Sequence, residues 1–184
     1  MASFSDGVIA ILITIMVLGL NAPHDGSLES LRPLVPTAIG YVLSFVFLGI
    51  YWNNHHHLLS VVERVDGRTL WANLLLLFWL SLIPFGTSWL GNTTFAPWPV
   101  ALYGVDLLFA AVAYFVLVRA LVARHGADST LVTALGSDFK GKASIAIYAA
   151  AVPLAFLNSW LAYGFYVGVA LWWLVPDRRF ERAD

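Results

Sequence analysis

Residues 5–21 read SDGVIAILITIMVLGLN, and from Gly7 to Leu20 the only polar side chain is Thr14. Crossing the hydrocarbon core of a bilayer takes roughly 20 apolar residues, somewhat fewer where neighbouring helices shield the ends. The stretch therefore reads as a first transmembrane helix. It imitates a secretory signal, but no Lys or Arg precedes it and Asn21-Ala22-Pro23-His24 makes a poor cleavage site, so it is read as a retained span. Working outward, five further apolar segments follow at 36–60, 70–90, 98–122, 143–160 and 162–176, the last two separated only by Asn158, Ser159, Tyr163 and Gly164. The expected fold class is all-α, a polytopic membrane helical bundle of about six transmembrane helices. No repeat or low-complexity tract divides the chain, so residues 1–184 are read as one domain.

Composition agrees. Of 184 residues, 60% are hydrophobic and 11% charged, with a mean hydropathy of +0.78, which leaves too little polar surface to coat a soluble globule. The lipid bilayer is the expected partner. Aromatics make up 15% of the chain, eight of them Trp, as suits side chains placed at both membrane interfaces and between helices. A net charge of −1 allows no strongly basic face, so nucleic acid is not an expected partner. Cysteine is absent, which removes disulfides, thiolate metal sites and cysteine nucleophiles together.

Orientation follows from Lys and Arg, which concentrate in cytoplasmic loops. Arg64, Arg68, Arg119, Arg124, Lys140, Lys142, Arg178, Arg179 and Arg182 fall on one side of a six-span path, and only Arg32 falls on the other. Both termini are therefore expected in the cytoplasm, with the protein in the cell membrane. This topology gathers residues far apart in sequence. Ser5 and Asp6 at the start of the first span, His55, His56 and His57 at the end of the second, and Asn73 at the start of the third share one inner layer.

Three constellations carry polar chemistry. Phe4-Ser5-Asp6 reads first as a helix start, with Ser3 as cap and Asp6 in the first turn; a carboxylate near the hydrocarbon edge also asks for a partner, which histidine supplies. Trp52-Asn53-Asn54-His55-His56-His57 ends the second span. Successive histidines on a helix diverge by about 100° and do not converge on one ion, although Trp52 shares a face with His56 and with His55. The third constellation is the first span itself, where Ile11, Thr14 and Leu18 form one stripe at i, i+3 and i+7. That stripe reads equally as core packing with Thr14 bonded to its own backbone, because every face of this helix is apolar and periodicity alone reveals no pore. Asn73 and Pro84 in the third span have default structural roles as an interhelical bond and a kink. Asp106 in the fourth span either reaches an outer vestibule or pairs with another helix, and receives no role.

Phe4-Ser5-Asp6 opening span one, Ala10-Ile11 followed by Thr14, Trp52-x-x-His55-His56, and Asn73 with Pro84-Phe85 together resemble the transmembrane protein 175 family of potassium channels, over roughly residues 4–90. The resemblance implies a six-span subunit of the bacterial type. It implies a homotetramer around copies of the first span and passive, potassium-selective conduction rather than an enzyme, with potassium as the permeant ion and no cofactor. Carried over by position, Ile11, Thr14 and Leu18 would be the pore constriction and selectivity residues. Ser5, Asp6, Trp52, His55, His56 and Asn73 would form the inter-helix polar network. The chain has no Thr-Val-Gly-Tyr-Gly carbonyl filter, consistent with a family that lacks one. One departure concerns the Arg that the family usually carries four residues before the Phe: only Met1, Ala2 and Ser3 precede Phe4. Either the start is truncated or the network lacks a cation, which leaves the pairing of Asp6 open.

Two other classes compete with this reading. One is a membrane-embedded metal enzyme or metal transporter built on His55, His56 and His57; the other is a proton-coupled carrier using Asp6 and Asp106.

Overall fold

The computed structural model describes residues 1–60, 62, 65–125 and 138–175, all helices, turns and connections. Of the basic residues that set the expected orientation, Arg64, Arg178, Arg179 and Arg182 lie outside the described residues. Helix α1 spans Ala2–Ile15 and tightens into a 3₁₀ turn over Met16–Gly19; a second 3₁₀ segment, Leu28–Leu34, leads into α2 at Val35–Ser60. Then come α3 at Gly67–Asn92, α4 at Pro97–His125, α5 at Phe139–Leu154 and α6 at Ser159–Leu174. The helices α1 to α4, with their flanking 3₁₀ turns, are long and apolar enough to cross a membrane. The protein is a multi-pass membrane protein. At 16 residues each, α5 and α6 extend about 24 Å, short of a hydrocarbon core of about 30 Å.

Local chemistry accounts for the helix ends. The carboxylate of Asp66 accepts from the backbone N–H of Thr69 at 2.9 Å and from its hydroxyl at 2.8 Å, capping α3. These bonds hold the Asp66 carboxyl below its ordinary value. Pro97 opens α4, where its missing N–H costs nothing. Between α3 and α4 the chain turns through Thr94 at φ 50° and Phe95 at φ 58°, a left-handed conformation unfavourable for side chains with a Cβ. The Phe95 ring is buried at 1% exposure against Trp160 and Tyr163, with centroids 4.7 and 4.6 Å away. Burial of a large aromatic offsets the strain of the turn.

The break between the last two helices differs from expectation. Tyr163 and Gly164 lie inside α6, the connection is residues 155–158, and Asn158 caps α6 by accepting from the Leu161 N–H at 3.1 Å. A side-chain N-cap marks the start of a helix more firmly than a mid-span Gly does.

Helix α1 packs on α2 and α3; α3 pairs with α4, α4 with α5, and α6 rests on α5, α4 and α2. Close backbone approach joins α2 to α3 at Gly91, where an added Cβ would collide with the Cα and Oγ1 of Thr37. Deeper in the bundle the Ser44 hydroxyl meets Thr87 at 2.6 Å and Tyr103 at 2.8 Å, joining α2, α3 and α4 through hydroxyls in a medium with no competing water.

Candidate functional site

Helix α1 has two unlike faces. Ser5, Ile9, Leu12 and Met16 are buried against α2 and α3, spaced at the intervals that keep one side of a helix inward. The other side is open: Phe4 is 60% exposed, Ile11 61% and Leu18 71%. Thr14 lies on this open side, and its hydroxyl donates to the Ile11 carbonyl at 2.9 Å. The bond is the backbone contact that a lone hydroxyl in an apolar helix makes by default. Ile11, Thr14 and Leu18 thus form one outward stripe on the bundle rather than part of its core.

At the start of α1 the structure corrects two expectations. Ser3 is not the cap: α1 begins at Ala2, Met1 is the cap position without a side-chain bond, and no acidic residue sits in the first turn. Asp6 also has no hydrogen bond with His55. The expected single network separates into two sets. In the buried set, the Asn73 amide donates to Ser5 Oγ at 2.9 Å and its Oδ1 lies 2.7 Å from His55 Nε2, so α3 bridges α1 to α2. Ser5, His55 and Asn73 are all at most 2% exposed. In the outer set, Trp52 Nε1 donates to Asp6 Oδ1 at 3.0 Å and His56 Nδ1 stands 4.0 Å from Asp6 Oδ2. Trp52 and His56 stack loosely, with ring centroids 5.6 Å apart.

The split follows from helix geometry. Neighbours in sequence point about 100° apart, so Ser5 and Asp6 address different partners, as do His55 and His56. With imidazoles aimed in different directions, no three His, Asp or Glu side chains converge among the described residues.

Sequence reasoning missed the hydroxyl set of Ser44, Thr87 and Tyr103. Its signal was present as small polar residues inside apolar spans, which in membranes mark helix contacts. The pairing considered for Asp106 is absent among the described residues: it is 6% exposed, and neither carboxylate oxygen has a hydrogen-bond partner there.

Residues 1–84 match the family model described as the endosomal/lysosomal potassium channel TMEM175. A potassium channel of Chryseobacterium sp. (strain P1-3) is 49% identical over 181 residues, covering 98% of this chain and 94% of the relative. The chain belongs to the TMEM175 family. A further relative, a potassium channel of Chamaesiphon minutus, is 30% identical over 177 residues, covering 88% of this chain and 86% of its own. The fold agrees as well: the crystal structure of a lysosomal potassium-selective channel TMEM175 homolog from Chamaesiphon minutus superposes with a TM-score of 0.81 at 28% identity, covering 95% of this chain and 94% of that one. The likeness to TMEM175 relatives therefore extends through α4, α5 and α6, beyond the residues that the family model matches.

Proposed function

We propose that this TMEM175-family chain is a passive potassium channel, assembled as a homotetramer whose pore is lined by the outward stripe of α1. One observation carries the reading. The stripe of Ile11, Thr14 and Leu18 faces away from the chain's own bundle, so a pore bounded by it is closed only by further copies of the same helix. Potassium is the ion named for the relatives of Chryseobacterium and Chamaesiphon minutus. In such a pore Ile11 and Leu18 form apolar rings that admit ions only when wetted, and Thr14 supplies the ring of oxygens. The Ser5–Asn73–His55 and Asp6–Trp52–His56 sets hold α1 at a defined rotation, which keeps the stripe aimed at the axis. The polar layer lies on the cytoplasmic side of the cell membrane, with the N-terminus there and the C-terminus returning to it after six crossings. Conduction by this route has no chemical step and uses no cofactor.

The test is potassium flux through purified protein in liposomes under a potassium gradient. The expected result is electrogenic flux; protein that inserts and carries none overturns the reading. Because the chain contains no cysteine, the pore wall is mapped directly by single replacements. A water-soluble thiol reagent is expected to block channels carrying Ile11→Cys or Leu18→Cys and to leave those carrying Ile9→Cys conducting.

A further inference from the structure

Asp106 sits in the first half of α4 at 6% exposure, and neither Oδ1 nor Oδ2 has a hydrogen-bond partner among the described residues. An ionised carboxylate in that state is among the most unfavourable arrangements a protein interior can hold, because nothing replaces the water it has lost. Among the described residues no ion pair reaches it. Helix α4 packs on α3, α5 and α6 and touches α2 through Tyr103–Ser44 and Tyr114–Tyr51. Among the described residues, the titratable side chains that bear on Asp106 are the phenols of Tyr51 from α2 and Tyr103 from α4, with Tyr114 from α4, Tyr148 from α5 and Tyr166 from α6 packed beside them. Helix α3 contributes the Thr87 hydroxyl, joined through Ser44 to Tyr103. Arg119, on the same helix, is about 20 Å further along at 1.5 Å per residue.

Three of the nearby hydroxyls are already engaged. Tyr166 donates to the Val100 carbonyl at 3.2 Å and Tyr114 to the Asn54 carbonyl at 3.3 Å, while Tyr103 is held by Ser44 at 2.8 Å. None is placed on the Asp106 carboxyl. A buried carboxyl with neither a cation nor a donor is stable in one form, the neutral acid.

We propose that Asp106 is a proton-binding site of the second half of the bundle: its carboxyl carries a proton in the folded protein, and release of that proton to water drives α4 away from its neighbours. The site lies outside the α1 stripe, so it does not depend on the pore reading. It makes the packing of α4 sensitive to pH. Ionising the carboxyl in place would leave an unpartnered charge in the packed interior, so the packing of α4 weakens as pH rises.

Infrared spectroscopy of the full-length protein in lipid tests the proposal without any activity measurement. At neutral pH the expected spectrum contains the C=O stretch of one protonated aspartic acid per chain, and Asp106→Asn removes that band entirely. Uniform ¹³C labelling of aspartate in the wild-type protein moves the same band. This assigns it even if the variant folds poorly, because Asp106 is the one buried aspartate among the described residues. Thermal melts are expected to show wild-type stability falling as pH rises, against a flatter profile for Asp106→Asn. Absence of the band at neutral pH, its persistence in Asp106→Asn, or identical pH profiles for the two proteins overturns the proposal.

Discussion

The Trp52 indole donates a 3.0 Å hydrogen bond to the Asp6 carboxylate, fastening α2 to α1 on the side of α1 next to the buried Ser5–Asn73–His55 set. Two fastenings of unequal depth therefore set the rotation of α1. Asn73→Ala removes the centre of the buried set and leaves Ser5 and His55 without partners, a loss of about 1–3 kcal/mol for each orphaned group. Asp6→Ala breaks a part-exposed set, and about 1 kcal/mol or less is expected. Thermal denaturation of the two variants in one detergent checks the order; equal losses would mean that depth does not rank the two fastenings.

Ile11 is 61% exposed on the outward stripe, which in the proposed assembly makes it an apolar ring. Ile11→Asn is expected to raise single-channel conductance, because polar groups keep a narrow pore wet. Unchanged conductance in a variant that assembles normally would move the constriction to Leu18.

Thr14 bonds its own backbone at the Ile11 carbonyl, 2.9 Å away, so a structural role already accounts for its hydroxyl. Thr14→Val keeps the shape and removes the oxygen. If the ring of hydroxyls aids ion selection, the permeability ratio of potassium over sodium falls several-fold, which is about 1 kcal/mol at 1.4 kcal/mol per decade. A bi-ionic reversal potential that does not move would leave the backbone bond as the whole role of Thr14.

Gly91 lies where a Cβ would overlap Thr37, whereas Gly164 has open space around it. Gly91→Ala is expected to destabilise the protein by about 1–3 kcal/mol through forced separation of α2 and α3. Gly164→Ala, by contrast, is neutral or stabilising by up to about 1 kcal/mol from helix propensity. Melting temperatures of the pair separate steric approach from propensity.

Asp66 caps α3 with its carboxyl held below the ordinary value of 3.8. Its contribution is present above that value and is lost as pH falls through the lower folded value, since the unfolded chain takes up the proton first. Wild-type protein is therefore expected to lose part of its advantage over Asp66→Ala below pH 3.8. Parallel melts from neutral to acid pH measure the gap, and a gap independent of pH would assign the cap to something other than the carboxylate.

The long helices were legible in the sequence because the bilayer imposes their length directly: the apolar runs at 5–21, 36–60, 70–90 and 98–122 had one physical explanation. The shared layer of Ser5, Asp6, His55, His56 and Asn73 was legible for a related reason, since alternating crossings return chain segments to the same depth. The break between α5 and α6 was not. Asn158, Tyr163 and Gly164 all interrupt that apolar stretch, and only the hydrogen bond from the Leu161 N–H to Asn158 shows which of them starts a helix.

Hydropathy and crossing number, which depend on composition and order along the chain, determined the class of protein, its membrane-spanning segments and the depth of its polar residues. Rotation about each helix axis was decided by tertiary packing alone. When every face of a helix is apolar, as in α1, periodicity carries no information on which side turns inward. Contact with α2 and α3 selects Ser5, Ile9, Leu12 and Met16 for the interior and leaves Ile11, Thr14 and Leu18 outside. The same rotational choice gives Asn73 to Ser5 and His55, gives Trp52 to Asp6, and buries Asp106 without a hydrogen-bond partner among the described residues. Depth is a one-dimensional property written into the chain, whereas pairing is angular and is settled only when helices meet.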